Sequence, residues 1–538
     1  MENTTFTQSN YSNYYNAFQL SLPLDLGVKI DENDEVVSFL KAIEGVNLYK
    51  YLKRKGCRGR KGYDNVMLLK VILFARMIGI ESLEGLEKAC RHDIRFMYIT
   101  QEQTPSFMAF ERLMKDYLIV DIDYIFFDIT SHIGNLMNID RSVQYIDGTK
   151  IEADANKYSF VYKTRIINAR KKLFMKITDA ILSMNMEKGF NFPYGYMYCA
   201  QEIGYITQYL MEVMVENDIN PIYGKGKRKT EIQRWYDTFL EYYMKLDEYE
   251  YWLNIIGEDR NSCSKTDHDA TMCATKMDYY CNTGLSRPCY NAQIAVSDGV
   301  IVNADLFQRP ADAKTFMPFM ERYNEYIGEY PKYPMADAGY GSYDNYMFCV
   351  KNEMELYMKY AMYAKKNEPR FKKKKFDPIN WEKDKKGYKI CPNGYTFDKY
   401  IGETHNDKGA YLSIKQKYTS ESSCEGCPFM EECCRNKRHQ RILTKDVVLE
   451  EFYMTVDQNL STEQGKELKK QRSIQVEGAF GVIKQDMKFT RFRRRGLQNA
   501  KMEFLIVCLG YNLKKYHKYR LNQEKKNKKS SKKIRQKS

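Results

Sequence analysis

The chain has 538 residues, 43% hydrophobic and 29% charged, and lysine plus arginine exceed aspartate plus glutamate by +15. That length is more than one compact core supports and predicts two to four domains. It holds no run of eighteen apolar residues, and the opening "MENTTFTQSNYSNYYN" is polar, so the sequence argues against a membrane span or a secretory leader and for a cytoplasmic protein. The positive surplus favours a polyanionic partner. In a reducing compartment the fourteen cysteines are expected to stay unpaired.

Apolar residues recur at three- and four-residue steps in "DEVVSFLKAIEGVNLYKYL" and "NVMLLKVILFARMIGIESLEGLEKAC", which predicts a helical module over residues 1–135. Between them lies the basic, glycine-rich "KRKGCRGRKGYD", and Pro105 after a Thr104 cap starts a further helix. Such a module suits DNA contact or self-association, and a plain helical bundle would look the same.

The period then changes. "VQYIDGTKIEADA" alternates like a strand, and "CYNAQIAVSDGVIVNADLF" predicts a hairpin turning at Ser297, Asp298 and Gly299. A helix capped near Asp312 follows, then strands in "YPMADAGY" and "ELYMKYAM". Residues 156–284 are mostly long helical patterns, with Trp235 and Trp252 read as core, and residues 365–450 open with the basic "KKNEPRFKKKKFDP". "GKELKKQRSIQVEGAFGVIKQDMKFTRFRRRG" reads as a helix entering a basic segment, and "NAKMEFLIVCLGYNLKKY" as a buried helix. Residues 514–538 form a basic tail expected to be disordered, able to grip phosphates without reading sequence. The pieces describe an α/β fold: a mixed-sheet core from residues 136–155, 285–364 and 451–513, with insertions at 156–284 and 365–450.

Three carboxylates stand out. Asp337, in "MADAGYGSYDNY", leaves a short apolar run and is followed by Gly339 and Gly341. Asp147 also ends an apolar stretch and precedes Gly148. Glu477 lies on a predicted helix beside Gly478 and Gly481, small enough to let that helix lie tightly on a sheet, and Lys484 is two turns further on the same face. Acids at strand ends and on an abutting helix can converge on one or two hard cations. Glu152, Asp154, Asp305 and Asp312 are read instead as structural or capping.

The blocks "YIDGTKIEADANKYSFVYK", "YNAQIAV", "ADAGYGSYDNY" and "VEGAFGVIKQDMKFTRFRRRG" occur in this order. Together they resemble the core of bacterial insertion-sequence transposases of the DDE type, and "GYDNVMLLKVILFARMIGIESLEGLEKAC" resembles the helical module of that group. The resemblance implies a ribonuclease-H-like catalytic fold and a double-stranded DNA substrate, the element's inverted repeats and the target. It also implies catalysis with Mg²⁺ or Mn²⁺, two ions in such sites, and a homodimer in the active complex. Carried over, Asp147, Asp337 and Glu477 are the catalytic metal ligands. Lys484 matches a DNA-contacting lysine, while Arg472 lies one residue further from Glu477 than the commonest signature has it. The location implied is the bacterial cytoplasm, at the nucleoid.

Cys424 and Cys427 form a C-x-x-C pair, and Cys391, with Cys433 or Cys434, completes a tetrahedral set for structural Zn²⁺. His439 is a spare ligand. Arg491, Arg493, Arg494 and Arg495, interleaved with Phe489 and Phe492, suggest a phosphate grip beside the active site. Two other readings stay open: a ribonuclease-H-like nuclease that cuts without joining, and a catalytically idle zinc-containing DNA-binding protein.

Overall fold

The structure, a computed structural model, describes residues 30–53, 62–224, 228–274, 285–422, 424–434 and 440–535. His439, most of the basic turn before the second helix and the first 29 residues lie outside them.

Six helices open the fold: α1 (Glu35–Glu44), α2 (Asn65–Ile78), α3 (Leu83–His92), α4 (Ile94–Thr100), α5 (Phe107–Leu113) and α6 (Ile119–Met137). Asp64 caps α2 by accepting from the Met67 amide, and Gly79 ends it in a left-handed conformation. The helix predicted at Thr104 and Pro105 begins instead at α5, after Ser106.

A five-stranded sheet follows from β1 (Val143–Glu152), β4 (Thr271–Ala274), β5 (Ser286–Ser297), β6 (Val300–Phe307) and β7 (Tyr333–Met335). Strand β5 is long enough to pair with β4 near its start and β6 near its end, while its other edge pairs antiparallel with β1. Strand β7 adds to β1 in parallel, with Tyr145 opposite Met335. The β5–β6 turn is the predicted one, with Asp298 and Gly299 both at positive φ, the conformation that matches the twist of a tight hairpin.

Between β1 and β4 run β2 (Phe160–Tyr162), α7 (Lys163–Lys188), α8 (Ala200–Glu216), α9 (Glu231–Ile256) and β3 (Ser262–Ser264). The three helices enclose a core of their own, built on Ile177, Ile181, Ile203, Leu210, Phe239 and Leu246, with Trp235 packed against it. After α10 (Phe316–Ile327) and α11 (Tyr343–Lys351) comes a mostly irregular stretch with α12 (Pro369–Lys372). It leads to a three-stranded sheet of β8 (Lys399–Asn406), β9 (Ser413–Thr419) and β10 (Leu443–Lys445), with α13 (Met430–Cys433) in its crossover. The chain returns through α14 (Val447–Ser461) and α15 (Glu463–Arg472), a π turn (Ser473–Glu477), α16 (Gly478–Gly481) and a second π turn (Val482–Asp486).

Helix α17 (Leu497–Arg535) closes the fold. Met502, Phe504, Leu505, Ile506, Val507, Leu509 and Leu513 are all buried, so its first half is apolar on every side and sits between α2, α6 and β6. Gly510 permits the approach to α2, because a side chain there would meet the Arg76 backbone at 3.0 Å. The N-terminal helices, central sheet and α17 therefore share one continuous core. The tail expected to be disordered from residue 514 continues this helix instead. Tyr516 and Arg520 remain buried, and Arg520 donates to the Ser38 hydroxyl on α1.

Two polar devices lock α17 in place. Lys501 lies 3.2 Å from both Asp123 on α6 and Asp305 on β6, and Arg322 of α10 pairs with the same two acids, so Asp305 is structural, as expected. The fully buried Asn512 acts as a strand partner for Ile301, accepting from its amide and donating to its carbonyl, each at 2.8 Å. Cys273 and Cys289 are joined as a disulfide across β4 and β5, contrary to the expectation that the cysteines stay unpaired. Replacing Asn512 with Ala leaves two buried backbone groups without partners. The variant is expected to lose about 2–3 kcal/mol, read as a lower denaturation midpoint.

Candidate active site

The parallel register of β1 on β7 carries the site. Tyr145 faces Met335, and two residues further along come Asp147, still within β1, and Asp337, just past the end of β7, close enough for their charges to act on each other. Both carboxylates turn back on the chain: Asp147 Oδ1 accepts from the Gly148 amide at 2.8 Å, and Asp337 Oδ1 from that of Gly339 at 2.7 Å. Burial raises the pKa of Asp147, the adjacent Asp337 charge raises it further, and Arg472 opposes both. The Arg472 guanidinium lies 3.3 Å from Asp147 Oδ2.

Beneath the pair is a buried polar floor. Tyr340 donates to Gln293 Oε1, and Gln293 Nε2 donates to Asn291 Oδ1 and Asp312 Oδ1, each at 3.0 Å. Asp312 Oδ1 also takes Asn291 Nδ2 at 2.7 Å and Lys150 at 3.1 Å. Asn291, Gln293 and Tyr340 are at most 1% exposed, so each of these polar groups depends on the others for its bonds. Tyr340 titrates far above the usual tyrosine range, first because it is buried and then because Asp312, Asp147 and Asp337 surround it. Asp312 is thus not a helix cap: its carboxylate lies under the acid pair. The signal available in the sequence was Asn291 and Gln293, two polar residues on one face of an otherwise apolar strand.

Gly148 is obligatory here. A Cβ at that position would lie 2.1 Å from Gln293 Nε2 and 2.9 Å from Asp312 Oδ1. Gly478 and Gly481 differ from expectation, because nothing lies within 4 Å of where their side chains would project. They leave open space beside Glu477 rather than letting the helix approach the sheet.

Glu477 is exposed and ends the π turn that packs on β1 and β5. In an α-helix five residues leave Glu477 about 140° around from Arg472. A π turn bonds each residue to the fifth along, which brings such neighbours back toward one face. Arg472 closes α15 against Asp147, and Glu477 closes the π turn facing solvent. Lys484, in the second π turn, reaches Thr149 Oγ1 at 2.5 Å, so Arg472 and Lys484 both touch β1, at Asp147 and two residues beyond it. The three acids are not drawn into one tight group: among the described residues, no three of His, Cys, Asp or Glu are placed to hold a metal ion. The donors that do meet suit a hard cation: the Asp147 carboxylate, in the middle of β1 rather than at the strand end expected, and the Asp337 carboxylate just past β7, the first burdened by burial and by its neighbour's charge.

The arginines expected to grip phosphate have carboxylate partners. Arg491 and Arg495 meet Asp154, at 3.3 and 3.0 Å, while Arg493 pairs with Glu81 and Arg494 with Glu111. Phe489 and Phe492 are buried. This segment ties α5 and the loop before α3 to the end of β1.

Cys391, Cys424, Cys427, Cys433 and Cys434 all line one cavity of about 20 Å³, closed by Trp381, Phe397 and Phe429. Arg441 donates to Cys433 Sγ at 2.9 Å.

Two family models match the chain, a transposase DDE domain over residues 390–517 and a transposase domain (DUF772) over residues 24–116. The first spans Glu477, Arg472, Lys484 and the cysteines, and the second spans α1 to α5. A DDE domain implies a ribonuclease-H-like fold, in keeping with the mixed sheet. No curated protein and no solved structure matches. No helix among the described residues is long and apolar enough to cross a membrane. The chain carries two transposase domains, consistent with a bacterial insertion-sequence transposase of the DDE type.

Proposed function

We propose that the protein binds the ends of its own element and performs strand cleavage followed by 3′-hydroxyl strand transfer on double-stranded DNA. The observation that carries this reading is the approach of Asp147, within β1, to Asp337, just past the end of the adjacent parallel strand β7, in a chain whose match to a DDE domain spans Glu477. Residues 136–155, 285–364 and 451–513 make up the catalytic core in this reading. The helical unit at 156–284 and the cysteine-rich unit at 365–450 are insertions into it.

Asp147, Asp337 and Glu477 would hold Mg²⁺ or Mn²⁺. Such an ion polarises the attacking and leaving oxygens of a phosphodiester. The chain's own groups position the DNA. Lys484, held at Thr149, offsets charge that grows on the oxygens of the scissile phosphate, and Arg472 can leave Asp147 for another phosphate of the same strand once the carboxylate has a different counter-charge. The Asn291–Gln293–Tyr340 floor holds β1 and the turn after β7, from which the two aspartates project. Water attack frees a 3′-hydroxyl, and that hydroxyl then attacks the target strand at the same carboxylates. Two copies act together on paired ends.

Cys391, Cys424, Cys427 and Cys433 would hold a structural Zn²⁺. The four thiols line one small cavity, although among the described residues they are not drawn into a metal-holding group, and the Arg441 contact favours Cys433 over Cys434, since a guanidinium stabilises a thiolate. The ion's part is structural, fixing the fold of the cysteine-rich unit.

Asp337→Asn is expected to abolish cleavage of DNA carrying the element's flanking ends while leaving end binding within about twofold. Retained cleavage removes Asp337 from the site. Supplying ends already cut to a 3′-hydroxyl, together with plasmid, separates two outcomes: joined product supports transposition, and nicking alone marks a nuclease. Cys424→Ser should lower the zinc content measured by metal analysis of the purified protein, and an unchanged content discards the zinc assignment. Deleting residues 521–538 should weaken DNA binding mainly at low salt, and an unchanged salt slope makes the end of α17 irrelevant to binding.

A further inference from the structure

The segment Met354 to Tyr360 alternates poorly for a strand and does not form one. Beside β7 it makes one backbone hydrogen bond, from the Glu355 amide to the Lys332 carbonyl, and one isolated bridge, between Tyr360 and Gly341. It is nevertheless tightly held. Met354, Leu356, Tyr357, Met358 and Tyr360 are buried, Asn459 donates to the Leu356 carbonyl, and Tyr346 donates to that of Met358. Gly341 has no room for a side chain, because the Lys359 carbonyl oxygen would lie 2.1 Å from it. The Lys359 backbone is thus fixed against a residue four places after Asp337.

The Lys359 side chain is half-buried and makes no hydrogen bond or ion pair with any described residue. Its electrostatic neighbours are Arg472, Lys469 and Asp337. Burial first, then the two cations, lower its pKa, and only Asp337 opposes them. Lys469 is also half-buried with no such partner among the described residues, and it lies on α15, which packs on both β1 and β7. Arg472 gives one nitrogen to Asp147, but its Nε is buried without a hydrogen bond. Several other cations of the fold do meet carboxylates: Lys501 meets two aspartates, Lys366 meets Asp457, and the arginines after the second π turn each meet a carboxylate. Three crowded cations with unused donors form a site whose missing component is an anion.

We propose that Lys359, Lys469 and Arg472 form a seat for a second, non-scissile phosphate of the bound DNA strand. With Lys484 at Thr149, the seat places cationic grips on both sides of the Asp147–Asp337 pair, which fixes the direction in which a strand crosses it. The proposal rests on the DNA-cleavage reading and names three contacts within it.

The test uses the full chain and the terminal DNA that flanks its gene. Lys359→Gln is expected to weaken binding roughly 3–10-fold at low salt and to reduce the salt slope by about one unit, with Lys359→Arg close to wild type. Lys469→Gln should behave like Lys359→Gln, and it decides the matter if the first variant has a lowered melting midpoint. A scan with single methylphosphonates should find one position, outside the cleaved bond, whose neutralisation weakens wild type but not Lys359→Gln. Wild-type slope and affinity in both folded glutamine variants overturn the seat while leaving the cleavage reading intact. Wild-type protein that neither binds nor cuts the DNA overturns the cleavage reading, and the seat with it.

Discussion

Three parallel residue pairs between β1 and β7 constrain everything else in this molecule. A slip of one residue would send Asp147 and Asp337 to opposite faces of the sheet, because side chains alternate along a strand. Nearly two hundred residues separate the two aspartates, so the pairing must survive a long excursion. Loop closure grows costly only slowly with length, and the excursion includes helices α7 to α9 with a core of their own. The remaining register comes from β5, which pairs with β1 across eight residues and carries Asn291 and Gln293 into the floor of the site. Helix α17 then covers β6 and joins the N-terminal helices to the sheet through Asn512 and Lys501.

The helix over β1 shows how a local irregularity serves the site. An additional residue between an arginine and a glutamate would turn the two away from each other in a regular helix. Here the residues between them form a π turn, and a second π turn places Lys484 on Thr149. Nothing crowds Gly478 and Gly481, and Glu477 beside them is exposed.

Local periodicity made much of the fold legible. The β5–β6 hairpin was carried by Asp298 and Gly299, β1 by alternation, and α2 and α17 by apolar residues at helical steps. Tertiary relations were less visible. Asp312 looked like any acid before a helix, and only the sheet shows that it lies against Gly148. The segment around Lys359 carried a strand's apolar content but spends it on burial beside the sheet rather than on pairing. Arg491 to Arg495 form the densest basic run in that part of the chain, yet their carboxylate partners, Glu81, Glu111 and Asp154, come from more than three hundred residues away. Density of charge along a sequence does not reveal which charges the fold will neutralise.

That distinction bears on how a chain of net charge +15 would meet DNA. A cation already paired with a carboxylate must break that contact before it can hold a phosphate, and the exchange returns little free energy. A cation without a partner, held in place by a rigid backbone, gives its full attraction and loses little side-chain entropy on binding. Arg494, mostly buried against Glu111, belongs to the first kind, and Lys359 and Lys469 to the second. Arg472 stands between them, sharing one nitrogen with Asp147 and keeping another unused. Its guanidinium is therefore the group through which charge at the aspartates and charge on a strand would be felt together: whatever neutralises Asp147 loosens Arg472, and a loosened Arg472 strengthens the grip on phosphate.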